Sequence, residues 1–363
     1  MASSCTEIDV LENVNTKLLN FAFLRLGKKC NASESLSFAR AVCNISSIKE
    51  NEVLTVMNFD TLFNRGVNVL KDMKRGITVN MQQHDKTAVA ILTKFLKEIE
   101  FHERSLMKVL GREQIEKESK SNSRRENEIT VTLAEHLLGR LSPGQSYVIN
   151  SRAKSRETCS CGEDHENNPT YRNTGIGHED VWHGFVDVVL ENAIASAEKP
   201  RVIDEDNKEG MDEFDGRTQT GDQSIAETIS FSFIQKACHP SFENHLVPNI
   251  MIDSERFRIL MYDADKDILL CGMDFPIFYE NHLNITSVVI LWLVLHYRIF
   301  CSGINDTPEE LEKVKCNFTE VAGEKLEIYR KSLKAGVANF PTVKKETSVF
   351  PSYESILFGK RKW

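Results

Sequence analysis

The chain has 363 residues, 41% of them hydrophobic and 27% charged, with a net charge of −8 and a pI near 5.8. That length can bury a sizeable core, as one large domain or two ordinary ones. The acidic balance excludes a strongly basic nucleic-acid coat protein, while a local basic groove remains compatible with it.

Nine cysteines, at 5, 30, 43, 159, 161, 238, 271, 301 and 316, are odd in number and widely spaced, as expected of reduced thiols. A cytoplasmic or nuclear setting is expected. Residues 1–10 lack a basic stretch followed by an apolar run, so no secretory signal is expected.

Residues 8–115 read as mostly helical, with Val14, Leu18, Phe21 and Ala22 on one stripe and Ala88, Ile91, Leu92, Phe95 and Ile99 on another. This predicts a helical N-terminal region over 1–120. Residues 116–127 are charged and rich in Ser and Asn, without an apolar side chain, and read as a linker or frayed helix end. An α/β domain is expected over 127–340. It opens with a short amphipathic helix at 129–141, stopped by Ser142-Pro143-Gly144, and a short strand at 146–150.

Residues 151–177 are polar and rich in turn formers, and 181–190 thicken into a β-branched strand. Residues 196–222 carry nine acidic and four basic side chains and read as a flexible acidic insertion. Helical spacing returns over 223–238, followed by strands at 247–253, 257–262 and 267–270. The apolar run 285–300 contains His296 and Arg298 and reads as a buried helix, not a membrane span. Thr307 and Pro308 predict the N-cap and first position of a charged helix, and 341–363 read as a loose tail.

Asp187 stands out within the strand. Alternation places it with Phe185 and Val189, while Val186, Val188 and Leu190 share the other face, so both faces are apolar. A charge there costs several kcal/mol, on the order of the penalties for buried ions, unless a cation or donor meets it. The other reading turns Asp187 outward.

The order of a helix with AEHLL around Glu135, a strand with HGFVDVVL around Asp187, a loop, a helix with QSIAETISFSFIQK and further strands resembles the core of the PD-(D/E)xK nuclease-like superfamily. The resemblance covers roughly residues 127–300 by element order. It implies a restriction-endonuclease-like α/β fold, a mixed central sheet flanked by helices. It also implies nucleic acid as partner and a Mg or Mn ion held by Glu135 and Asp187. In that family a (D/E)xK on the next strand completes the site, its Lys helping to activate water. The one match here is Asp206-Asn207-Lys208, inside the acidic run, so Asp206 and Lys208 complete the implied catalytic set with Asp187 or are loop residues. Some branches carry a Gln on the following helix, which points to Gln223; the other reading is an exposed helix-end side chain. Phosphodiester hydrolysis gives its own reason for such a set, because Mg needs hard oxygen ligands.

Two alternatives remain. One is a nuclease fold that has lost catalysis and serves as an interaction or scaffold protein. The other is a zinc-stabilised module using Cys159, Cys161, His165 and His178, although CxC is tighter than the usual knuckle and no second pair follows. His183 could donate to a phosphate or carboxylate. Walker, GxSxG and HExxH motifs are absent, which disfavours those enzyme classes.

Overall fold

The computed structural model describes residues 19–75, 81–110, 122–153, 170–197 and 219–336, together with Thr16 and Cys161. It is a mixed α/β protein built on a large mixed sheet, with a single apolar cluster running from Phe21 to Tyr329.

The expected strands of the second half are present. β9 (Leu246–Ile252) is buried along its whole length, the continuous apolar pattern of a strand covered on both faces. It pairs antiparallel with β10 (Arg256–Asp263), and β10 with β11 (Ile268–Gly272). The intervening turns are closed by aspartates: Asp253 Oδ1 accepts from Glu255 N and Arg256 N, and Asp263 Oδ1 from Asp265 N and Lys266 N.

The N-terminal region is only partly helical. Asn20–Arg25 is a strand, β1, paired antiparallel with β11 from Phe21↔Gly272 to Leu24↔Leu269, and Val56–Asn58, β2, pairs on its other side. The helical spacing of Phe21 and Ala22 therefore misleads, because a long-range ladder outweighs a weak local pattern; Val14 and Leu18 lie outside the described residues. Beyond β2 the expected helices follow: α1 (Asn64–Lys74), α2 (Gln83–Lys97) and α3 (Ile99–Leu110). The stripe Ala88, Ile91, Leu92 and Phe95 is buried on α2, whose start is closed by a capping box between Gln82 and Asp85.

α4 (Asn122–Leu133) takes up the end of the segment read as a linker. It runs on through a π-helical turn at Ala134–Leu138 to Leu141. There Gly139 N–H donates to Ala134 O, and a Cβ at Gly139 would overlap both that carbonyl and the Tyr147 ring.

β3 (Val148–Asn150) is where a short strand is expected, and it pairs in parallel with β4 (Tyr171–Arg172). The expected single strand over 181–190 is instead two. β5 (Gly175–Gly177) and β6 (His183–Phe185) pair with each other in a small sheet, while β7 (Val188–Leu190) belongs to the large one. The chain changes sheets at Val186–Asp187. Thr174 Oγ1 donates to Val186 O at 2.5 Å, and Asn150 N–H donates to Asp187 O at 2.9 Å.

β8 (Ala193–Ala197) takes in the first two residues read as insertion. α5 (Gln219–Cys238) begins four residues earlier than the spacing indicates, and 198–218 lie outside the described residues, as does the expected tail. The order along the large sheet is β1-β11-β10-β9-β8-β7-β3-β4. The pairs β3–β7 and β7–β8 are antiparallel, β8–β9 parallel and β9–β10 antiparallel. α5 packs on β9 and β10.

α6 (Ile285–Leu295) is the expected apolar helix, buried from Ser287 to Leu295. Its Trp292 Nε1–H donates to Ala88 O of α2 at 2.8 Å. Among the described residues no helix is long and apolar enough to cross a membrane. Thr307 caps Pro308–Lys313 through a reciprocal box with Glu310, as the sequence predicts.

Candidate functional site

Asp187 sits where β6 gives way to β7, half-buried. The register Val188↔Ala195 puts it opposite Ser196 near the end of β8, and its Oδ2 accepts from Ala197 N–H at 2.8 Å. Burial pushes its carboxyl up to about 6, partly offset by the Ala197 donor and reinforced by the negative charge of Glu126 on α4.

Glu135, the helix carboxylate implied by the resemblance, is fully buried and tied to its own helix. Its Oε1 accepts from Arg140 Nη2 at 2.6 Å, and its backbone carbonyl accepts from Arg140 Nε at 3.1 Å. Burial still pushes it up to about 7 against the pull of Arg140. The helix carboxylate whose charge acts on Asp187 is thus Glu126, more than two turns earlier.

Gln223 is not a loose helix-end side chain: its Nε2 donates to Glu227 Oε1 at 2.8 Å. Glu227 Oε2 accepts from Ser196 Oγ at 2.5 Å, and Ser196 Oγ also exchanges hydrogen bonds with the Asn249 amide on β9. Asn249 Nδ2 reaches Ser224 O at 3.2 Å and Thr228 Oγ1 at 3.0 Å. Ser196, Glu227, Asn249, Ser224 and Thr228 are all buried. Consecutive residues of β8 therefore serve two carboxylates, Ser196 that of α5 and Ala197 that of Asp187. The residue that β8 places opposite Asp187 is Ser196.

The remaining candidates divide. His183 is half-buried with Nδ1 2.9 Å from Val181 O, and His178 Nδ1 accepts from Asp180 N–H at 3.2 Å. Cys161 is buried. Cys159, His165, Asp206 and Lys208 lie outside the described residues, as do Glu198 and Lys199, which directly follow β8. Among the described residues no group of three or more His, Cys, Asp or Glu side chains could hold a metal ion. Two residues past β3, Arg152 lays its guanidinium 3.7 Å over the Phe185 ring.

Three members of this region are missed by sequence reasoning: Glu126, Ser196 and Asn249. Glu126 falls in the run read as linker and Ser196 in the run read as insertion. Asn249 carries the signal that picked out Asp187, a lone polar side chain inside an apolar strand. No protein-family model, curated protein or solved structure matches the chain.

Chemically, Asp187 and Glu126 both carry hard carboxylate oxygens, and as like charges they oppose each other. A divalent cation relieves that opposition. The donor set fits Mg or Mn better than zinc, which favours nitrogen and sulfur.

Proposed function

We propose that this chain is a nuclease-like protein of restriction-endonuclease-like fold that acts on nucleic acid with a Mg or Mn ion held by Asp187 and Glu126. The observation that carries the reading is the meeting of Asp187 with the end of β8 and with the charge of α4. The element order supports it: helix α4, strands β3, β7 and β8, helix α5, then strand β9, with Asp187 leading into the second of the first three strands. When bound, the ion would offset charge on the scissile phosphate and sharpen a water as nucleophile. Asp187 would hold it from the strand and Glu126 from the helix, while Ala197 N–H fixes the Asp187 carboxylate. Glu135 then serves the fold through Arg140. The reduced-thiol composition suits a cytoplasmic or nuclear setting.

A second reading rests on Ser196. With a hydroxyl opposite Asp187, and Glu227 taken up by Ser196 and Gln223, the fold would serve as a non-catalytic interaction or scaffold protein.

Cleavage of single- and double-stranded DNA and RNA in Mg²⁺ or Mn²⁺ separates the two. The nuclease reading expects wild-type cleavage and a loss of at least ~100-fold in Asp187→Asn, with a smaller loss in Glu126→Gln. Equal cleavage by wild type and Asp187→Asn would refute it. No cleavage, together with oligonucleotide binding that ignores the metal, would favour the scaffold.

A further inference from the structure

Just after β1, the turn at Leu26–Gly27 gathers three cysteines through backbone hydrogen bonds. Leu26 N–H donates to Cys316 O at 2.9 Å, Gly27 N–H to Cys43 O at 3.2 Å, and Cys30 N–H to Gly27 O at 2.9 Å. Next to it Asn31 N–H donates to Val42 O at 3.0 Å, and Val42 N–H returns to Asn31 Oδ1 at 2.9 Å. Gly27 thus bonds Cys43 through its N–H and Cys30 through its carbonyl, which brings both cysteines to one glycine. The Cys43 thiol is within hydrogen-bond reach of the Cys30 sulfur.

The two thiols differ in access and in partners. Cys30 is half-buried; Cys43 is fully buried, and burial raises its thiol well above the usual range, so it stays protonated. Cys43 Sγ–H donates to Asp222 O in the first turn of α5 at 3.4 Å, and Cys43 also bonds the Asp222 carboxylate. Asp222 immediately precedes Gln223, which anchors Glu227 and hence Ser196.

We propose that Cys30 and Cys43 form a reversible dithiol–disulfide pair, oxidised by a hydroperoxide, that releases the first turn of α5. The Cys30 thiolate attacks the peroxide, the O–O bond breaks, and Cys30 becomes a sulfenic acid as one water leaves. The Cys43 sulfur then displaces hydroxide from the Cys30 sulfur, forming the S–S bond. The Cys43 proton departs with that hydroxide as a second water. Two thiols thus lose two electrons and two protons to one hydrogen peroxide. The bridge removes the thiol donor to Asp222. The inference stands apart from the nuclease reading, since it uses neither Asp187 nor a metal.

Trypsin separates the two cysteines into peptides 30–40 and 41–49, so the bridge is read directly. The full chain is treated with hydrogen peroxide, alkylated and digested without reductant, beside Cys30→Ser, Cys43→Ser and Cys316→Ser. The expected product is a linked 30–40/41–49 pair, reversed by dithiothreitol, retained in Cys316→Ser and lost in the other two variants. Hydrogen exchange at the amides of residues 223–227 is expected to quicken about tenfold on oxidation of wild type and to stay unchanged in Cys30→Ser. Free alkylated thiols at both positions, or a link from either to Cys316, would overturn the pairing. A linked pair without faster exchange would overturn the release of α5.

Discussion

Polar side chains gather around both ends of α5 and are bonded to one another to different extents. At the N-terminal end Gln223, Glu227, Ser196, Asn249, Ser224 and Thr228 bond one another across α5, β8 and β9. At the C-terminal end Arg298 reaches Asn244 O and Gln235 Oε1 and lies over Phe242, on which His239 also stacks. Yet Gln235 Nε2, His239 Nε2, His245 Nδ1 and Arg298 Nε have no hydrogen-bond partner among the described residues. A mutually bonded network fixes the geometry of a strand end; an incompletely bonded one leaves side chains whose removal costs little. The position of β8 against Asp187 therefore depends on the first end of the helix.

The largest expected effect is at Asn249. Asn249→Leu strips donors from Ser196, Ser224 and Thr228 at once and should lower unfolding free energy by roughly 3 kcal/mol in urea titration. A loss below about 1 kcal/mol would show that the network does not hold β8.

Acid should distinguish the two ends next. Burial and the Arg298 charge lower His239 to about 4, and burial with Arg298 also lowers His245, against Asp265 and Asp263. A histidine lowered in the folded state stabilises fully above its ordinary value near 6.5 and progressively less as pH falls towards 4. Protection at the amides of residues 235–239 should therefore drop roughly tenfold between pH 7 and 5.5, after correction for intrinsic exchange. Asp187 and Glu135 run the other way. Raised to about 6 and about 7, they oppose folding when ionised, and acidification removes that penalty. Glu135→Gln should consequently steepen the acid loss of stability of the whole chain, and an unchanged slope would remove Glu135 from the balance.

The smallest effect is expected at His239. His239→Phe keeps the stack on Phe242 and deletes an unmatched ring nitrogen, so stability should change by less than about 1 kcal/mol and acid sensitivity at this end should fall. A loss as large as that of Asn249→Leu would erase the contrast between the ends.

What could be read from the sequence was local. The β9–β11 turns, the run of α5 and the Thr307 cap follow from alternation, helical spacing and capping chemistry within a few residues. β1 escapes that reading because its partner lies about 250 residues away. The break at Val186–Asp187 is hidden because β-branched residues continue straight through it, while the hydrogen bonds that divide the sheets come from Thr174 and Asn150. Asp187 is legible as a polar residue in an apolar strand, and Glu126 is not, since nothing in a charged run marks which glutamate bears on Asp187. Glu135 is picked out by the resemblance of its AEHLL stretch, and burial of that same stretch sets it against Arg140.

The pairing of β1 with β11 also sets a timetable. At about 5–20 residues per second, translation leaves β1 waiting on the order of tens of seconds for its partner. Throughout that interval the edge of β1 that pairs with β11 stays open, while β2 can take its other edge much sooner. Vectorial synthesis thus makes β1 dependent on a strand that emerges well after it.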